Sequence, residues 1–444
     1  MTELLDAPVV GADQVHDVLA RSILADGMDL VLDLTASRGS RLIDERDQTG
    51  YLDMFTFFAS NALGMNHPAL ADDQEFRDRI GAVAVNKPSN SDVYSVPMAR
   101  FVETFARVLG DANLPHLFFV EGGGLAVENA LKIAFDWKSR LNESKGLSAD
   151  LGTKVMHLTG AFHGRTGYTM SLTNTDPNKV ARFPKFDWPR IEAPWLSSDL
   201  DDTVRREEAT LADARRLFTE NPDDIACFIA EPIQGEGGDR HLRPEFLQAM
   251  QALCHEFDAL FVLDEVQTGG GLTGTAWAYQ QLGLQPDVVS FGKKLQVCGV
   301  MAGGRVDEVR DNVFHVSSRI NSTWGGNLTD MVRATRILEV IESDGLIERT
   351  AELGAHLLDR LQQLAEKHEV VREPRGRGLM CAISLSDAVL RDAVIAELWK
   401  RKVIMLGCGV DSIRFRPALT VTAAELDEAV EALDQALTAV SDGR

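Results

Sequence analysis

The sequence predicts an α/β protein with a large domain around a mostly parallel sheet and a smaller α+β domain built from both chain ends. Short apolar runs rich in Val, Ile and Phe alternate with longer helical patterns between residues 116 and 292. Such alternation is typical of buried parallel strands covered by helices on both faces. From about residue 330 the pattern changes to a long helical stretch followed by shorter apolar runs. With 444 residues, the chain is also longer than one simple core requires.

The predicted strands of the large domain are 116–120 (HLFFV), 154–159 (KVMHLT), 225–231 (IACFIAE), 259–265 (ALFVLDE) and 287–292 (DVVSFG). Between them, 125–141 and 244–257 have apolar residues at helical spacing, and Pro244 suits a first helical turn. We therefore predict three parts of the chain. Residues 1–75 join the small domain, 76–330 form the large domain, and 331–444 form the C-terminal small domain.

The charge balance restricts the partners of the protein. The chain has 45 Lys and Arg against 67 Asp and Glu, which gives a formal net charge of -22. An acidic surface favours solubility and argues against binding of nucleic acid or anionic membranes. Any anionic ligand must then be held by local groups, such as helix N-termini and single arginines.

The cysteines and the N-terminus predict a soluble cytoplasmic protein. The five cysteines (Cys227, Cys254, Cys298, Cys381 and Cys408) are scattered and lack metal-ligand spacing, which is typical of reduced thiols and predicts no metal site. The first residues, MTELLDAPVVGADQ, lack the apolar segment of a signal peptide. No apolar run approaches the roughly 18 residues that a membrane span requires.

Two glycine-containing segments suggest anion and ring binding. In VEGGGLAVENALK (120–132) a strand, three glycines and a helix follow one another, so backbone N–H groups at the helix N-terminus can hold a phosphate. An ordinary tight turn would give the same pattern. In LTGAFHGRTGYTMSLT (158–173), Phe162 can stack on a flat ligand and Arg165 can bind a carboxylate, with His163 between them. Each residue alone is unremarkable.

Two further segments carry carboxylates at strand ends. AEPIQGEGGDR (230–240) places Glu231 and Glu236 on a glycine-rich loop, where they can meet an arginine or a cationic amine, or form an exposed turn. In LDEVQTGGGLTG (263–274), Asp264 ends an apolar strand and requires a partner, and Gln267 follows three residues later. A metal bound by Asp264 and Glu265 is disfavoured, since no histidine or further acid lies near them in sequence.

The segment VVSFGKKLQVCG (288–299) supplies a nucleophile. A lysine amine forms a Schiff base with an aldehyde, and Asp264, 29 residues before Lys293, can keep a heteroaromatic nitrogen protonated. Together they match the needs of pyridoxal phosphate. Either Lys293 or Lys294 can be the nucleophile, and we expect the other to face solvent.

Two polar segments complete the set. SRINSTWGGN (318–327) has hydroxyls and amides that can reach a phosphate. IRFRPAL (413–419) presents Arg414 and Arg416 at alternate strand positions, so only one is expected to face a given side. Either arginine can bind a substrate carboxylate or remain an exposed basic residue.

These six segments, in this order, resemble the class III (ornithine/GABA-type) pyridoxal-phosphate-dependent aminotransferases over nearly the whole chain. The runs EPIQGEGG, DEVQTG and FGKK carry the resemblance. Within the family, the chain is most similar to bacterial members that act on the ε-amino group of L-lysine, through NKPSNSDVYS (86–95), RFPKFDWPRI (182–191), FGKKLQVCGVMAG (291–303) and NSTWGGNLTDMVR (321–333).

The resemblance implies a fold-type I homodimer with a shared active site, and pyridoxal 5'-phosphate bound by the large domain. It selects Lys293 as the Schiff-base lysine and implies that Asp264 holds the pyridine nitrogen. The implied cofactor-binding residues are Lys293, Gly123, Gly124, Phe162, His163, Asp264, Val266, Gln267 and, from the partner subunit, Ser322 and Thr323. The implied substrate-binding residues are Arg165, Glu236, Gln267, Asn321 and Arg414. One departure is Gly122-Gly123-Gly124, where the family usually has Ser-Gly followed by Ala, Ser or Thr. The lost hydroxyl leaves more of the phosphate binding to backbone N–H groups and to Thr323 from the partner subunit.

The implied reaction is a ping-pong transfer of the ε-amino group of L-lysine to 2-oxoglutarate, giving 2-aminoadipate 6-semialdehyde and L-glutamate. Lys293 would move the proton, and Glu236 would pair with Arg414 whenever a substrate without a second carboxylate occupies the site. A 4-aminobutyrate or ornithine aminotransferase is the alternative within the class. A mutase or racemase on the same fold, or a non-enzymatic pyridoxal-phosphate-binding regulatory protein, is the alternative outside it.

Overall fold

The computed structural model describes residues 10–442, so residues 1–9 and 443–444 of the predicted end segments lie outside it. The strands are β1 (Arg41–Ile43), β2 (Gly50–Asp53), β3 (His116–Val120), β4 (Lys154–Leu158), β5 (Arg190–Ile191), β6 (Ile225–Ala230), β7 (Ile233–Gln234), β8 (Arg240–His241), β9 (Leu260–Asp264), β10 (Val288–Phe291), β11 (Cys298–Ala302), β12 (Arg372–Arg377), β13 (Met380–Ser384), β14 (Val403–Ile404), β15 (Leu406–Cys408) and β16 (Ser412–Phe415).

The helices are α1 (Val15–Ala20), α2 (Thr56–Ala59), α3 (Pro68–Ala71), α4 (Gln74–Ala84), α5 (Val96–Val108), α6 (Gly123–Ser144), α7 (Thr169–Leu172), α8 (Pro177–Val180), α9 (Leu200–Glu220), α10 (Pro244–Glu256), α11 (Ala278–Gln281), α12 (Leu328–Ser343), α13 (Leu346–Lys367), α14 (Ala388–Lys400) and α15 (Ala423–Asp442). Short 3-10 turns lie at Ala12–Gln14, Lys293–Leu295 and Gly304–Glu308. None of the helices within residues 10–442 is both long and apolar enough to span a membrane.

A seven-stranded sheet forms the centre of the molecule, in the order β3-β11-β10-β9-β6-β4-β5. All neighbouring pairs from β10 to β5 are parallel, and only β11 runs against its neighbours. The predicted fold class, with its mostly parallel sheet, is confirmed. The five predicted strands are β3, β4, β6, β9 and β10, whereas β5 and β11 were not predicted.

Alternating side chains of the central strands bury both faces of this sheet. In β9, Leu260 and Val262 belong to the core on the α6 side, and Phe261 and Leu263 belong to the core on the opposite side, with α10. Every residue of β6 and β9 is buried. This explains why their sequences read as continuous apolar runs, since neither face meets water.

The two ends of the chain meet in a second, smaller assembly of sheets. β14 pairs in parallel with β2, in the register Val403 to Leu52, and β1 pairs with β2 in antiparallel fashion. A four-stranded antiparallel sheet, β12-β13-β16-β15, lies in the C-terminal region. This is the small α+β unit expected from both chain ends. Its boundaries at residues 75 and 330 remain predictions.

Two local departures from the predicted elements affect the site. The long helical stretch after residue 330 is divided at Gly345, whose φ of 59° separates α12 from α13. The segment YLDMFTFFAS begins as β2, but α2 is a left-handed turn with φ between 41° and 65° at all four of its residues. A left-handed turn of residues other than glycine costs about 1–2 kcal/mol per residue, so its neighbours must stabilise it.

Candidate active site

A cavity of about 520 Å³ opens at the carboxyl ends of β4, β6, β9 and β10. Ligands bind at this edge of open α/β sheets because the loops that follow parallel strands meet there. It is lined by Phe58, Gly123, Gly124, Phe162, His163, Gly164, Arg165, Lys179, Glu231, Ile233, Glu236, Asp264, Val266, Gln267, Lys293 and Cys298. These include ten of the predicted site residues: Gly123, Gly124, Phe162, His163, Arg165, Glu236, Asp264, Val266, Gln267 and Lys293.

Lys293 follows β10 and extends into this cavity. Its backbone is left-handed (φ 49°), and its Nζ lies 5.9 Å from the centre of the Phe58 ring. Burial lowers the pKa of Lys293, and the charges of Arg414 and Arg416 lower it further. A depressed pKa increases the fraction of neutral amine, which is the nucleophilic form.

Lys294 does not face solvent, so that expectation was wrong. Its side chain is 2% exposed, and its Nζ donates to the backbone oxygens of Ala59 (3.2 Å) and Gln267 (3.4 Å). Burial lowers the pKa of Lys294 well below its usual value, and Arg416 and Lys293 add to the effect. Lys294 is absent from the cavity lining, which leaves Lys293 as the lysine that a ligand can reach.

Asp264 is the last residue of β9, and its buried carboxylate contacts several polar groups. Its Oδ2 lies 2.8 Å from Nδ1 of His163, and its Oδ1 accepts from the Val266 N–H (3.1 Å) and the Ser290 hydroxyl (3.2 Å). Burial alone would lower the pKa of His163, but the hydrogen bond and charge of Asp264 outweigh it and raise the pKa. Nε2 of His163 is buried without a hydrogen-bond partner among the described residues. These hydrogen bonds fix the position of the Asp264 carboxylate at the cavity wall.

The glycine loop between β3 and α6 approaches its neighbours closely. Gly122 has a φ of 114° and caps α6, a helix of 22 residues. A Cβ added at Gly123 would lie 3.1 Å from Cγ1 of Val266, and one at Gly124 would lie 3.3 Å from Cγ2 of Thr166. Side chains are therefore disfavoured where the helix N-terminus meets the cavity, and its N–H groups remain available to an anion.

Glu231 is buried and holds two backbone N–H groups, so it is not an exposed loop residue. One carboxylate oxygen accepts from the Phe162 N–H (2.9 Å) and the other from the Gly235 N–H (3.0 Å). Burial raises the pKa of Glu231 to about 7. Glu265, the other half of the disfavoured metal pair, is likewise buried and accepts from the N–H groups of Ala278 and Tyr279. Both acids fix the backbone around the cavity.

A second carboxylate, Glu236, is shared by two cations. Its Oε2 accepts from Arg414 at 3.0 Å and its Oε1 from Lys179 at 2.5 Å. Burial raises the pKa of Glu236, but the Arg414 and Lys179 charges outweigh burial and leave it below its usual value. Arg165 is exposed at the same cavity, and no ion pair involves it within residues 10–442. One arginine is therefore neutralised while the other is open to a carboxylate.

Arg416 makes a different kind of ion pair. Its guanidinium binds both carboxylate oxygens of Asp239, and both side chains are at most 2% exposed. It also donates to Oε1 of Gln267 from two nitrogens, at 3.0 and 2.8 Å. The expectation that only one of Arg414 and Arg416 faces a given side was wrong. In an extended chain, residues two positions apart point to the same face, and both charges act on Lys293 although β16 itself ends at Phe415.

Four predicted residues are not among the lining of this cavity. Arg414 is buried and contacts the lining residue Glu236, whereas Asn321, Ser322 and Thr323 belong to a separate loop. Asn321 and Thr323 are exposed on a surface loop. The loop is held by the Ser91 hydroxyl, which donates to the Ser322 carbonyl at 2.6 Å. A single chain thus does not bring these loop residues to its own cavity.

The cavity also contains residues that the motifs did not indicate. Phe58 stands on the left-handed turn, and its ring centre is 5.7 Å from the Arg414 guanidinium. Lys179 lies on α8, 57 residues before its partner Glu236. Neither residue has a sequence pattern that indicates a site. Lys179 is a single lysine near a proline, and Phe58 lies in an apolar run, so only their contacts in the folded chain identify them.

Comparisons with known proteins extend over nearly the whole chain. A family model described as aminotransferase class-III matches residues 23–437. The L-lysine-epsilon aminotransferase of Mycobacterium tuberculosis (strain ATCC 25618 / H37Rv) is 65% identical over 432 residues, which cover 97% of this chain and 96% of that protein. The L-lysine-epsilon aminotransferase of Amycolatopsis lactamdurans is 60% identical over 434 residues, 96% of each. The solved structure of lysine aminotransferase from M. tuberculosis has a TM-score of 0.96 at 65% identity and covers 97% of this chain and 99% of that chain.

Proposed function

Because the chain belongs to the class-III aminotransferase family, we propose that it transfers the ε-amino group of L-lysine to 2-oxoglutarate. The Cε of lysine is oxidised to the aldehyde of 2-aminoadipate 6-semialdehyde, and 2-oxoglutarate is reduced to L-glutamate. Proteins named for this activity share 60% and 65% of their aligned residues with the chain. The family depends on pyridoxal 5'-phosphate, and this chain is a pyridoxal-phosphate enzyme.

The cavity suits this cofactor on three counts. A Cβ at Gly123 or Gly124 would crowd Val266 or Thr166, so glycines at these positions keep the N-terminus of α6 open to a phosphate. The buried carboxylate of Asp264 suits a protonated ring nitrogen. Lys293 has a lowered pKa, which suits a covalent bond to an aldehyde carbon. The bound ring supplies an electron sink for the carbon that loses its proton.

The remaining wall residues would hold the ring. Phe162 and Val266 line the cavity with apolar surface for its two faces, and His163 lies beside Asp264. Because Oε1 of Gln267 already accepts from Arg416, its amide N–H groups remain available to donate to a ring oxygen. We assign these four residues to cofactor binding.

The substrate roles follow from the charges. The exposed guanidinium of Arg165 binds the α-carboxylate of lysine, which directs the ε-amine toward Lys293. The neutral amine of Lys293 then takes a proton from Cε and returns it during the transfer. Gln267 and Asn321 would add polar contacts to the substrate.

The observation that carries the proposal is the Glu236–Arg414 ion pair. With Arg414 neutralised at 3.0 Å, the cavity offers a single free arginine to a substrate with one carboxylate. 2-Oxoglutarate has two carboxylates and needs both Arg165 and Arg414, so Glu236 must move away in that half of the reaction. One cavity thus serves two substrates of different charge.

A second copy of the chain would complete the site. Asn321, Ser322 and Thr323 lie outside the cavity of their own chain, on an exposed loop beside Trp324, which is 44% exposed. A homodimer that brings this loop to the partner's cavity would supply hydroxyls that Gly122-Gly123-Gly124 lacks. The proposed partners are thus L-lysine, 2-oxoglutarate and an identical chain, and the proposed location is the cytoplasm.

A donor panel tests the proposal. Glutamate formation from 2-oxoglutarate should show the highest kcat/KM with L-lysine, and L-ornithine, one methylene shorter, should be about 10–200-fold poorer. The Lys293→Ala variant should form no glutamate, while the wild-type preparation should have twice the mass of one chain in light scattering. A higher kcat/KM with 4-aminobutyrate or L-ornithine would change the substrate assignment. Absence of turnover with every donor would favour a regulatory pyridoxal-phosphate protein, and turnover without 2-oxoglutarate a mutase or racemase.

A further inference from the structure

Glu236 and Lys179 form part of a wall between two cavities. The active-site cavity lies on one side, and a second cavity of about 390 Å³ lies on the other. The second cavity is bordered by α8 of the large domain and by α14 and β15 of the small domain, including Arg391 and Gly407. Both Glu236 and Lys179 line both cavities, so each side chain has open space on two sides.

The backbone at Glu236 is fixed, and only its side chain has room to move. The Gly409 N–H donates to the Glu236 carbonyl at 2.9 Å, and the preceding Gly235 N–H is bound by Glu231 at 3.0 Å. Gly409 also packs closely against this loop, because a Cβ added at Gly409 would lie only 2.8 Å from the Cα of Gly238. Separation of Glu236 from Arg414 therefore has to come from rotation of the Glu236 side chain toward the second cavity.

Lys179 is placed to follow that rotation. It stands on a turn capped by Asp176, whose carboxylate accepts from the Asn178 N–H at 2.9 Å. Its ammonium lies 5.4 Å from the Phe162 ring centre and contacts the oxygen of Glu236 that Arg414 does not use. Arg414 can be released while the bond to Lys179 is kept.

The charges show why this second cation matters for only one substrate. While Glu236 forms its ion pair with Arg414, the two charges cancel, and Lys179 faces a neutral pair. Once a substrate carboxylate takes Arg414, Glu236 is a partly buried anion that has lost one of its two cations, and Lys179 is the cation that remains in contact with it. Lys179 therefore stabilises the open arrangement more than the closed one.

We propose that Lys179 is a specificity-determining residue that retains Glu236 in the second cavity while a dicarboxylate occupies Arg414. The inference rests on the proposed function, because it assigns Lys179 to the 2-oxoglutarate half of that reaction. Lys179 acts through Glu236 and does not contact the reacting atoms, so it is a positioning residue.

The test compares Lys179→Met with Lys179→Arg and with Lys400→Met in the holoenzyme. Lys400 is an exposed lysine on α14 whose ion pair to Glu397, at 3.0 Å, lies outside both cavities. Lys179→Met should raise the KM for 2-oxoglutarate about 5–10-fold, as expected for one partly exposed charge-assisted hydrogen bond, with the rate of the lysine half-reaction unchanged. Lys179→Arg should restore the KM, and Lys400→Met should match wild type.

Calorimetric binding gives a readout that does not depend on turnover. Glutarate, which has two carboxylates and no keto group, should bind Lys179→Met about 5–10-fold more weakly than wild type, and butyrate should bind both equally. In a Glu236→Gln background, Lys179→Met should have no further effect. Suppose that wild type transaminates lysine. If Lys179→Met then leaves glutarate binding and the KM for 2-oxoglutarate unchanged, or weakens the binding of glutarate and butyrate equally, the role of Lys179 is refuted and the proposed function stands. If wild type does not transaminate lysine, the proposed function fails first.

Discussion

Arg414 and Arg416 lie two residues apart at the end of β16, and each forms an ion pair with a carboxylate from the loop after β7. The pairs differ in their surroundings. Glu236, the partner of Arg414, has a side chain that is 26% exposed and borders two cavities. Asp239, the partner of Arg416, is 0% exposed, and Gln267 and the Phe415 carbonyl accept further hydrogen bonds from the same guanidinium. Burial and the number of partners therefore separate an ion pair that can open from one that is fixed.

The fixed pair predicts the largest effect on stability. Asp239→Asn leaves the Arg416 charge buried without a counter-ion, and breaking a buried pair in this way costs about 3–5 kcal/mol. The free energy of unfolding, measured in urea, should fall by this amount. Glu236→Gln is the matched comparison, because Arg414 is 4% exposed, much like Arg416, whereas the Glu236 side chain is 26% exposed and that of Asp239 is 0% exposed. The Gln oxygen can still accept from Arg414, so this change should cost less, about 1–2 kcal/mol. Equal losses in the two variants would show that the pairs do not differ.

The movable pair predicts an effect on substrate choice instead. In Glu236→Gln, Arg414 stays charged while lysine is bound, so 2-oxoglutarate competes for the lysine-accepting form of the enzyme. The kcat/KM for L-lysine should fall about tenfold, equivalent to about 1.4 kcal/mol, while the KM for 2-oxoglutarate stays within about twofold of wild type. Steady-state kinetics with each substrate varied in turn measures both.

The same measurement on Asp239→Asn separates the two arginines. Enzyme that remains folded should lose activity with both substrates in parallel, because Arg416 supports Gln267 and Lys293 and does not bind a substrate carboxylate. A selective loss with one substrate would assign Arg416 to substrate binding.

The difference between the two pairs could be predicted from the sequence only in part. The resemblance of EPIQGEGG and IRFRPAL to the family paired Glu236 with Arg414, and the structure has this contact. The expectation that Arg414 and Arg416 face different sides failed, because side chains two positions apart in an extended chain point to the same face. Asp239 lies in the quoted loop, but a single acidic residue in a glycine-rich segment does not indicate a buried partner 177 residues away.

The fold was more predictable than the walls of the site. Strands buried on both faces produce continuous apolar runs, so β6 and β9 were evident in the sequence. The sequence does not indicate β11, because CGVMA is short and directly follows the lysine pair, without a separate turn signal between them. Lys294 was predicted to be exposed because lysine pairs usually are, and its burial depends on two backbone carbonyls that only the folded chain brings together.

The left-handed turn α2 contacts both arginines, and we expect substitutions in it to have the smallest effects. The Thr56 hydroxyl donates to the Arg416 carbonyl at 2.6 Å, while the Phe58 ring centre lies 5.7 Å from the Arg414 guanidinium. The left-handed backbone of α2 is held by Asp53, which accepts from two N–H groups of the turn, and by Lys294 at the Ala59 carbonyl. The strained turn thus keeps an aromatic face beside the movable arginine.

Phe58→Leu tests whether that aromatic face matters. The substitution keeps apolar bulk and removes a cation–π contact of about 0.5–1 kcal/mol, so the KM for 2-oxoglutarate should rise about two- to fivefold. The urea midpoint should not change, because Phe58 is 49% exposed. Thr56→Val, on the same turn, should instead lower the free energy of unfolding by about 1 kcal/mol with little change in KM. If Phe58→Leu lowers stability as much as Thr56→Val and leaves the KM unchanged, the turn serves packing alone, and the distinction between the two arginines does not extend to it.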